Sequence, residues 1–361
     1  MAGIALLLGW VAEGIGTAEG PGHGSGRGGA IEVSATNSIY TVFVEDISSV
    51  NGIGVFAATT GATHPAGPGL DLLAGAGSAT FGSYLTVRSS STNTDYVQSG
   101  DPTITSGNTI VALSGFGTVT PLGTTGFRTT YVLPGAAATP DALTIVNDVR
   151  VNGTTFLDSS VEVTTAITNN GATPVSVSLR RLWDFNIAGD DGPVLQALNP
   201  NGAVLTQEAD FAAPTFERFQ VYDNDFTASP PTYAVFGTVT GPPFVTPVPT
   251  PPSRLSFVCW ETAFYSAFDY TPSNAVTVAS NNASCDTDDS GGDSSVLYFD
   301  GPVTIQPGAT ATLSASIFAA DAPAAAAEIP ALSPLGIGLL AAGLLLAATW
   351  VLRSRVARRR L

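Results

Sequence analysis

Residues 286–293 read Asp286-Thr287-Asp288-Asp289-Ser290-Gly291-Gly292-Asp293, the part of the chain best suited to a hard cation. Asp286, Asp288 and Ser290 offer oxygen ligands at alternate positions, Gly291 follows where a calcium loop turns sharply, and Asp293 adds a further carboxylate. Calcium is therefore the cofactor this string suggests. It reads equally as an acidic solvated turn, since carboxylates so close together repel unless a cation or water lies between them. An EF-hand is excluded, because its twelfth position is Leu297 and no helical pattern flanks it. Asp184-Phe185-Asn186 with Asp190 and Asp191, and Asp223-Asn224-Asp225, are weaker acidic turns of the same kind.

Catalysis by paired carboxylates would draw on Asp184, Glu208, Glu217 and Asp223, with Trp183 and Tyr222 beside them as rings for sugar stacking. No spacing singles out a pair, so no catalytic residue is assigned and the chain is read as non-enzymatic, with a secreted carbohydrate-active enzyme as the alternative. A serine hydrolase fits worse: G-x-S-x-G is missing, and of the two histidines His23 sits in a glycine-rich stretch, leaving His64 as the one base. Cys259 and Cys285 are the chain's two cysteines. In an exported protein they form one disulfide, contributing about 3 kcal/mol; in a reducing compartment they are two buried thiols.

The remaining composition narrows the field. The 361 residues carry a formal net charge of −16, and all 13 cations are arginine. Without lysine there is no P-loop lysine and no Schiff base. Two cysteines and two histidines assemble neither a zinc finger nor an iron–sulfur site. The acidic balance argues against a nucleic-acid partner, which requires a basic face.

The elements that must position these residues are strands. Val161, Val163, Thr165 and Ile167 alternate with Glu162, Thr164 and Ala166; after Asn169-Asn170-Gly171 the pattern resumes at Val175, Val177 and Leu179. This predicts a hairpin through a turn tolerant of positive φ. Gln306-Pro307-Gly308 predicts a second turn before Ala311, Leu313, Ala315 and Ile317. Further strands are expected at 40–44, 127–133, 143–151, 216–222, 233–239, 255–258 and 296–299, with turn-rich pieces between them. Strand–helix alternation and a fixed repeat are both missing, which disfavours a parallel α/β sheet, a solenoid or a propeller. The expected fold is all-β: an antiparallel β-sandwich, Ig-like or larger, with a single C-terminal transmembrane helix. Prolines crowd residues 229–231 and 242–252 and forbid sheet pairing in those two stretches, so the body at 37–320 divides into two lobes near 229–253 or carries them as surface loops.

The two ends point outward. Leu335–Leu352 contains no charge and as a helix spans about 27 Å, close to the hydrocarbon thickness of a bilayer. Arg353, Arg355, Arg358, Arg359 and Arg360 follow it, and such a cluster stays cytoplasmic, placing the body on the other side. Residues 321–328 form an Ala/Pro spacer before it. At the N-terminus, Ile4–Ala12 is an apolar run of signal-peptide length, with small residues near 16–18 for cleavage, giving a leader over 1–19. No cation precedes that run, so a short core segment is the other reading. A glycine-rich flexible segment occupies 20–36.

Ile329, Pro330, Ala331, Leu332, Ser333 and Gly336, followed by the apolar span and the arginine cluster, resemble the IPTL-CTERM sorting tail of bacterial surface proteins, a relative in plan of PEP-CTERM signals. Ala331 stands where that family has threonine. The resemblance covers residues 329–361 alone and implies an address: recognition by an exosortase-like processing enzyme, with the tail held in the membrane until then. The whole is expected to be an exported, membrane-tethered or sorted surface or matrix protein with an adhesive or structural role. The alternative binding role is a calcium-dependent glycan-binding module.

Overall fold

The computed structural model describes residues 32–46, 51–75, 82–136, 138–189, 192–198, 204–222, 234–240, 250–276, 278 and 294–319. The first strands are β1 (Glu32–Thr36), β2 (Tyr40–Glu45), β3 (Phe56–Thr60), β4 (Asp71–Leu73), β5 (Tyr84–Ser89), β6 (Thr94–Val97) and β7 (Thr109–Ala112). Next come β8 (Gly117–Pro121), β9 (Gly126–Pro134), β10 (Ala142–Asn152), β11 (Ser160–Asn169), β12 (Val175–Asp184), β13 (Val194–Leu198) and β14 (Val204–Leu205). The last are β15 (Ala209–Ala212), β16 (Arg218–Tyr222), β17 (Ala234–Thr238), β18 (Arg254–Cys259), β19 (Ser294–Ile305) and β20 (Thr310–Ala319), with one short helix, α1 (Trp260–Phe264).

They form three sheets: β1-β2-β3-β4, then β14-β13-β16-β17-β20-β11-β10-β9-β8, then β15-β18-β19-β12-β5-β6-β7. All pairings are antiparallel except β6 with β7. The expected all-β sandwich is therefore present. Among the described residues no helix is long and apolar enough to cross a membrane, and the span expected at 335–352 lies outside them.

The core follows from period-two patterning. In β10, Leu143, Ile145, Val149 and Val151 are buried, while Thr144, Val146 and Arg150 between them are half-exposed. One cluster packs Tyr131, Leu133, Leu143, Ile145 and Ile167 of the nine-stranded sheet on Leu85, Val87, Tyr96, Val177 and Leu179 of the seven-stranded sheet. A larger cluster joins Val149, Val163, Phe219 and Val221 to Trp183, Phe257, Val296 and Tyr298, and takes in Val42, Val44 and Phe56 of the four-stranded sheet. Between the two clusters lies a polar layer: Thr129, Asn147 and Thr165 in adjacent register, with Arg181 and Asp300 beside them. The opposite face of the seven-stranded sheet is covered too, where Tyr84, Leu182, Val258, Leu297 and Phe299 pack beneath Ala263, Phe264, Ala267 and Phe268. Gly237 is obligatory in β17, because a Cβ there would lie 2.0 Å from the ring of Phe219 on the neighbouring strand.

Three expectations change. The segment from 161 to 179 is not a hairpin: β11 pairs with β10 and β20, whereas β12 pairs with β19 and β5 in the other sheet. Asn169, Asn170 and Gly171 adopt no positive φ. Instead Asn169 Oδ1 accepts from Gly171 N, and Asn169 Nδ2 donates to Thr173 O and Ile305 O, building a corner that carries the chain across the sandwich. The turn at 306–308 makes the same crossing between β19 and β20, and the two corners are tied by Gly308 N to Asn169 O and Asn169 N to Ala309 O. Asn169→Ala is expected to cost about 2 kcal/mol, since two carbonyls lose their donor; urea unfolding checks this.

Second, β17 lies between the two proline-rich stretches and pairs with β16 and β20, while β15 pairs with β18 across both of them, so they do not separate two lobes. Third, the segment expected to be flexible over 20–36 contains β1, which starts at Glu32 and pairs with β2.

Candidate functional site

One corner of the seven-stranded sheet brings together two of the residues that the sequence singles out, Cys259 and Glu208. There β18 ends at Cys259 and turns into α1, while β19 begins opposite it at Ser294. Ser294 Oγ donates to Val278 O at 2.9 Å, so the two ends of segment 279–293 are tied side by side. That segment carries Cys285 and the calcium candidates Asp286, Asp288, Ser290 and Asp293, all outside the described residues. Among the described residues no group of three His, Cys, Asp or Glu is arranged to hold a metal. Cys259 is buried at the end of β18, and its expected partner Cys285 is not among the described residues.

Glu208 is the keystone of the corner. It is 5 % exposed, and its carboxylate is engaged by three donors. Cys259 N and Tyr270 OH donate to Oε1 at 2.9 and 2.5 Å, and Ser273 N donates to Oε2 at 2.7 Å. Tyr270 OH also lies 2.8 Å from Thr262 Oγ1. Burial first, and then the Glu208 carboxylate, push the Tyr270 phenol above its ordinary range, so it stays protonated and donating. This candidate acid is thus a clamp that fastens the 270–273 segment to the end of β18.

The other candidate carboxylates do not join it in a cleft. Asp184 is buried at the junction with the four-stranded sheet: its N–H is bonded to Ser83 Oγ, its carbonyl accepts from Ala74 N, and Phe185 bridges to Leu73. Trp183 is sealed in the core among Phe56, Phe185 and Tyr298, and Tyr222 is also buried, so neither ring of the expected sugar-stacking pair faces solvent. Glu217 is exposed at the start of β16, and Asp190, Asp191 and Asp223–Asp225 lie outside the described residues.

His64 packs between Tyr40 and Phe156, with ring centroids 5.6 and 5.0 Å away, and accepts from Ala66 N through Nδ1. Burial lowers its imidazole to about 4. Because the native value lies below that of the unfolded chain, the unfolded state takes up the proton first as pH falls. Its contribution is complete above about pH 6.5 and is lost toward pH 4, a decline of about 3 kcal/mol. His64→Gln is expected to flatten the pH dependence of urea unfolding in that window by comparison with the parent.

What the sequence reading passed over is the aromatic segment itself: Trp260, Phe264, Tyr265, Phe268 and Tyr270. Arg180 closes α1 by donating to Ala263 O at 2.6 Å and to Ser266 O, while Tyr84 OH donates to Phe264 O at 2.7 Å. The density of rings directly after Cys259 was the available signal.

The architecture is a large three-sheet β-sandwich. No family model matches the chain, and no curated protein matches it. Among solved structures, a galactose mutarotase-related enzyme from Lactobacillus acidophilus is similar at 8 % identity, covering 81 % of this chain and 98 % of its own, with a TM-score of 0.48. A galactose mutarotase-like protein from Lactobacillus casei ATCC 334 is similar at 11 % identity, covering 80 % and 99 %, with a TM-score of 0.46. Neither likeness bears on the activity of this chain. The sorting-motif residues Ile329–Ser333 and Gly336, and the arginines from Arg353 to Arg360, lie outside the described residues.

Proposed function

We propose that this chain is an exported, surface-sorted β-sandwich protein whose role is adhesive or structural. The reading rests above all on the order of three features in 329–361: the motif Ile329-Pro330-Ala331-Leu332-Ser333 with Gly336, the uncharged span 335–352, and the arginines that end the chain. An exosortase-like enzyme acting on this tail is part of the proposal. Supporting a binding role over a catalytic one, Glu208 is saturated by three donors and Asp184 is buried in a junction between sheets. A Cys259–Cys285 disulfide, natural to an exported chain, would pin segment 279–293 to the end of β18.

Deleting 329–361 is expected to release the body into the medium or periplasm, read by fractionation and immunoblotting. Retention of the shortened protein in the envelope would contradict the sorting role.

A second reading is a calcium-dependent binding module, favoured by the way Val278 and Ser294 hold the acidic segment's ends together. It predicts a rise in unfolding temperature at millimolar calcium, and an unchanged melt refutes it.

A further inference from the structure

Two of the strands that end the sheets are unguarded. Among the described residues, the end strands β1, β4 and β15 carry Glu32, Asp71 and Asp210, and β14 is only two residues long. A charge or a short strand keeps a sheet edge from pairing with another chain. β7 ends the seven-stranded sheet and β8 the nine-stranded one, and neither carries a charge. Residues 102–127, which contain both, hold no Asp, Glu, Arg, Lys or His. Among the described residues β7 pairs with β6 alone and β8 with β9 alone, so each keeps an open backbone edge. Pro121 closes β8 and limits pairing at that end. Both edges lie on one side of the sandwich. A single 3-10 turn, Leu113–Phe116, joins them, and Val111, Phe116 and Val119 all pack on the core cluster between the two large sheets. These three stay half-exposed, so that core reaches the surface here, and Ile110 beside them is 39 % exposed. The charges on the neighbouring strands are already matched: Asp95, opposite Ile110, with Arg88, and Arg128, opposite Thr120, with Asp148.

We propose that this side joins two copies of the chain across a two-fold axis, β7 and β8 each meeting its equivalent in antiparallel pairing. Charge selects a second copy as the occupant. Each chain carries −16, so two copies repel over most of their surfaces and approach most easily where neither presents a charge. An uncharged side also has nothing with which to recruit a basic or acidic partner, whereas a two-fold contact matches its own open backbone groups and half-exposed Val111, Phe116 and Val119 with the same groups on the copy. The contact is short, which places its dissociation constant on the order of 10 µM. The sorting tail has no part in it, so either reading can fail alone.

The test is sedimentation velocity of the full chain in detergent, at concentrations from about 1 to 100 µM. A monomer–dimer equilibrium is expected, and it should tighten between about 0.05 and 0.5 M NaCl because salt screens the repulsion between the two acidic chains. Ile110→Glu with Thr118→Glu sets like charges against each other across the axis and should raise the dissociation constant about a hundredfold, with an unaltered far-UV circular dichroism spectrum. If the double variant fails to fold, Thr118→Glu alone, at an exposed position, decides. Leu157→Glu, at a 50 % exposed apolar residue in the loop between β10 and β11, should leave the equilibrium unchanged. A parent that stays monomeric at the highest concentration, a dimer untouched by the edge variants, one weakened equally by Leu157→Glu, or one that loosens as salt rises would overturn the proposal.

Discussion

Asp300→Ala is expected to destabilise the protein by about 3–5 kcal/mol, the largest loss from any single substitution considered. Arg181 and Asp300 are 1 % and 2 % exposed, and Arg181 Nη1 lies 2.5 Å from Asp300 Oδ2 while Nη2 donates to Leu313 O at 2.8 Å. Burial raises the Asp300 carboxyl and lowers the Arg181 guanidinium, and each is opposed by the other's charge. Removing the carboxylate leaves a buried cation between two sheets with only the Leu313 carbonyl to face among its described partners. Replacing both partners, as Arg181→Met with Asp300→Leu, removes the desolvation cost along with the attraction, so the double variant is expected to lose far less than the single one. Urea midpoints of the three proteins at constant slope make the comparison, and the ranking should hold in high salt because the pair is shielded from solvent. A single variant as stable as the parent would show that the pair does not hold the layer together.

Glu208→Ala is the second large effect, at about 3 kcal/mol, because three donors lose their acceptor at once. Cys259 N and Ser273 N are backbone groups that cannot turn away, and Tyr270 OH would keep only Thr262. Glu208→Gln retains one carbonyl oxygen and sets an NH2 against a donor, so an intermediate loss is expected. The substitution also separates two roles for Glu208. A clamp predicts faster amide exchange at Cys259 and Ser273 and a lower midpoint; a catalytic acid predicts a stable protein with altered chemistry.

Period-two patterning made the strands at 143–151, 127–133 and 161–167 legible, because one face of each is buried and the other half-exposed. The same pattern could not choose partners. Val175 and Val177 point into the core whether they return beside β11 or cross to the opposite sheet, and the decision lies in Asn169, whose amide reaches Ile305 far along the chain. Short strands such as β3 and β7 lacked a readable alternation: all five residues of β3 are buried, and β7 is largely exposed. At the candidate site, Glu208 was one of four candidate acids, and nothing in their spacing set it apart. Its partners Cys259, Tyr270 and Ser273 sit 51 to 65 residues away, a distance at which local spacing carries no information. Trp183 and Tyr222 looked available because each adjoins an aspartate, yet inward-facing strand positions took both.

The central claim is that the sandwich is sent beyond the inner membrane by its C-terminal tail, and intact-mass analysis of the protein recovered from the cells that make it tests this most directly. The account predicts envelope or extracellular material lacking the residues from the sorting motif onward, with a mass rising by two hydrogen atoms on reduction of a Cys259–Cys285 bridge. Recovery from the cytosol of a chain that retains its last arginines, with both thiols already reduced, would contradict it.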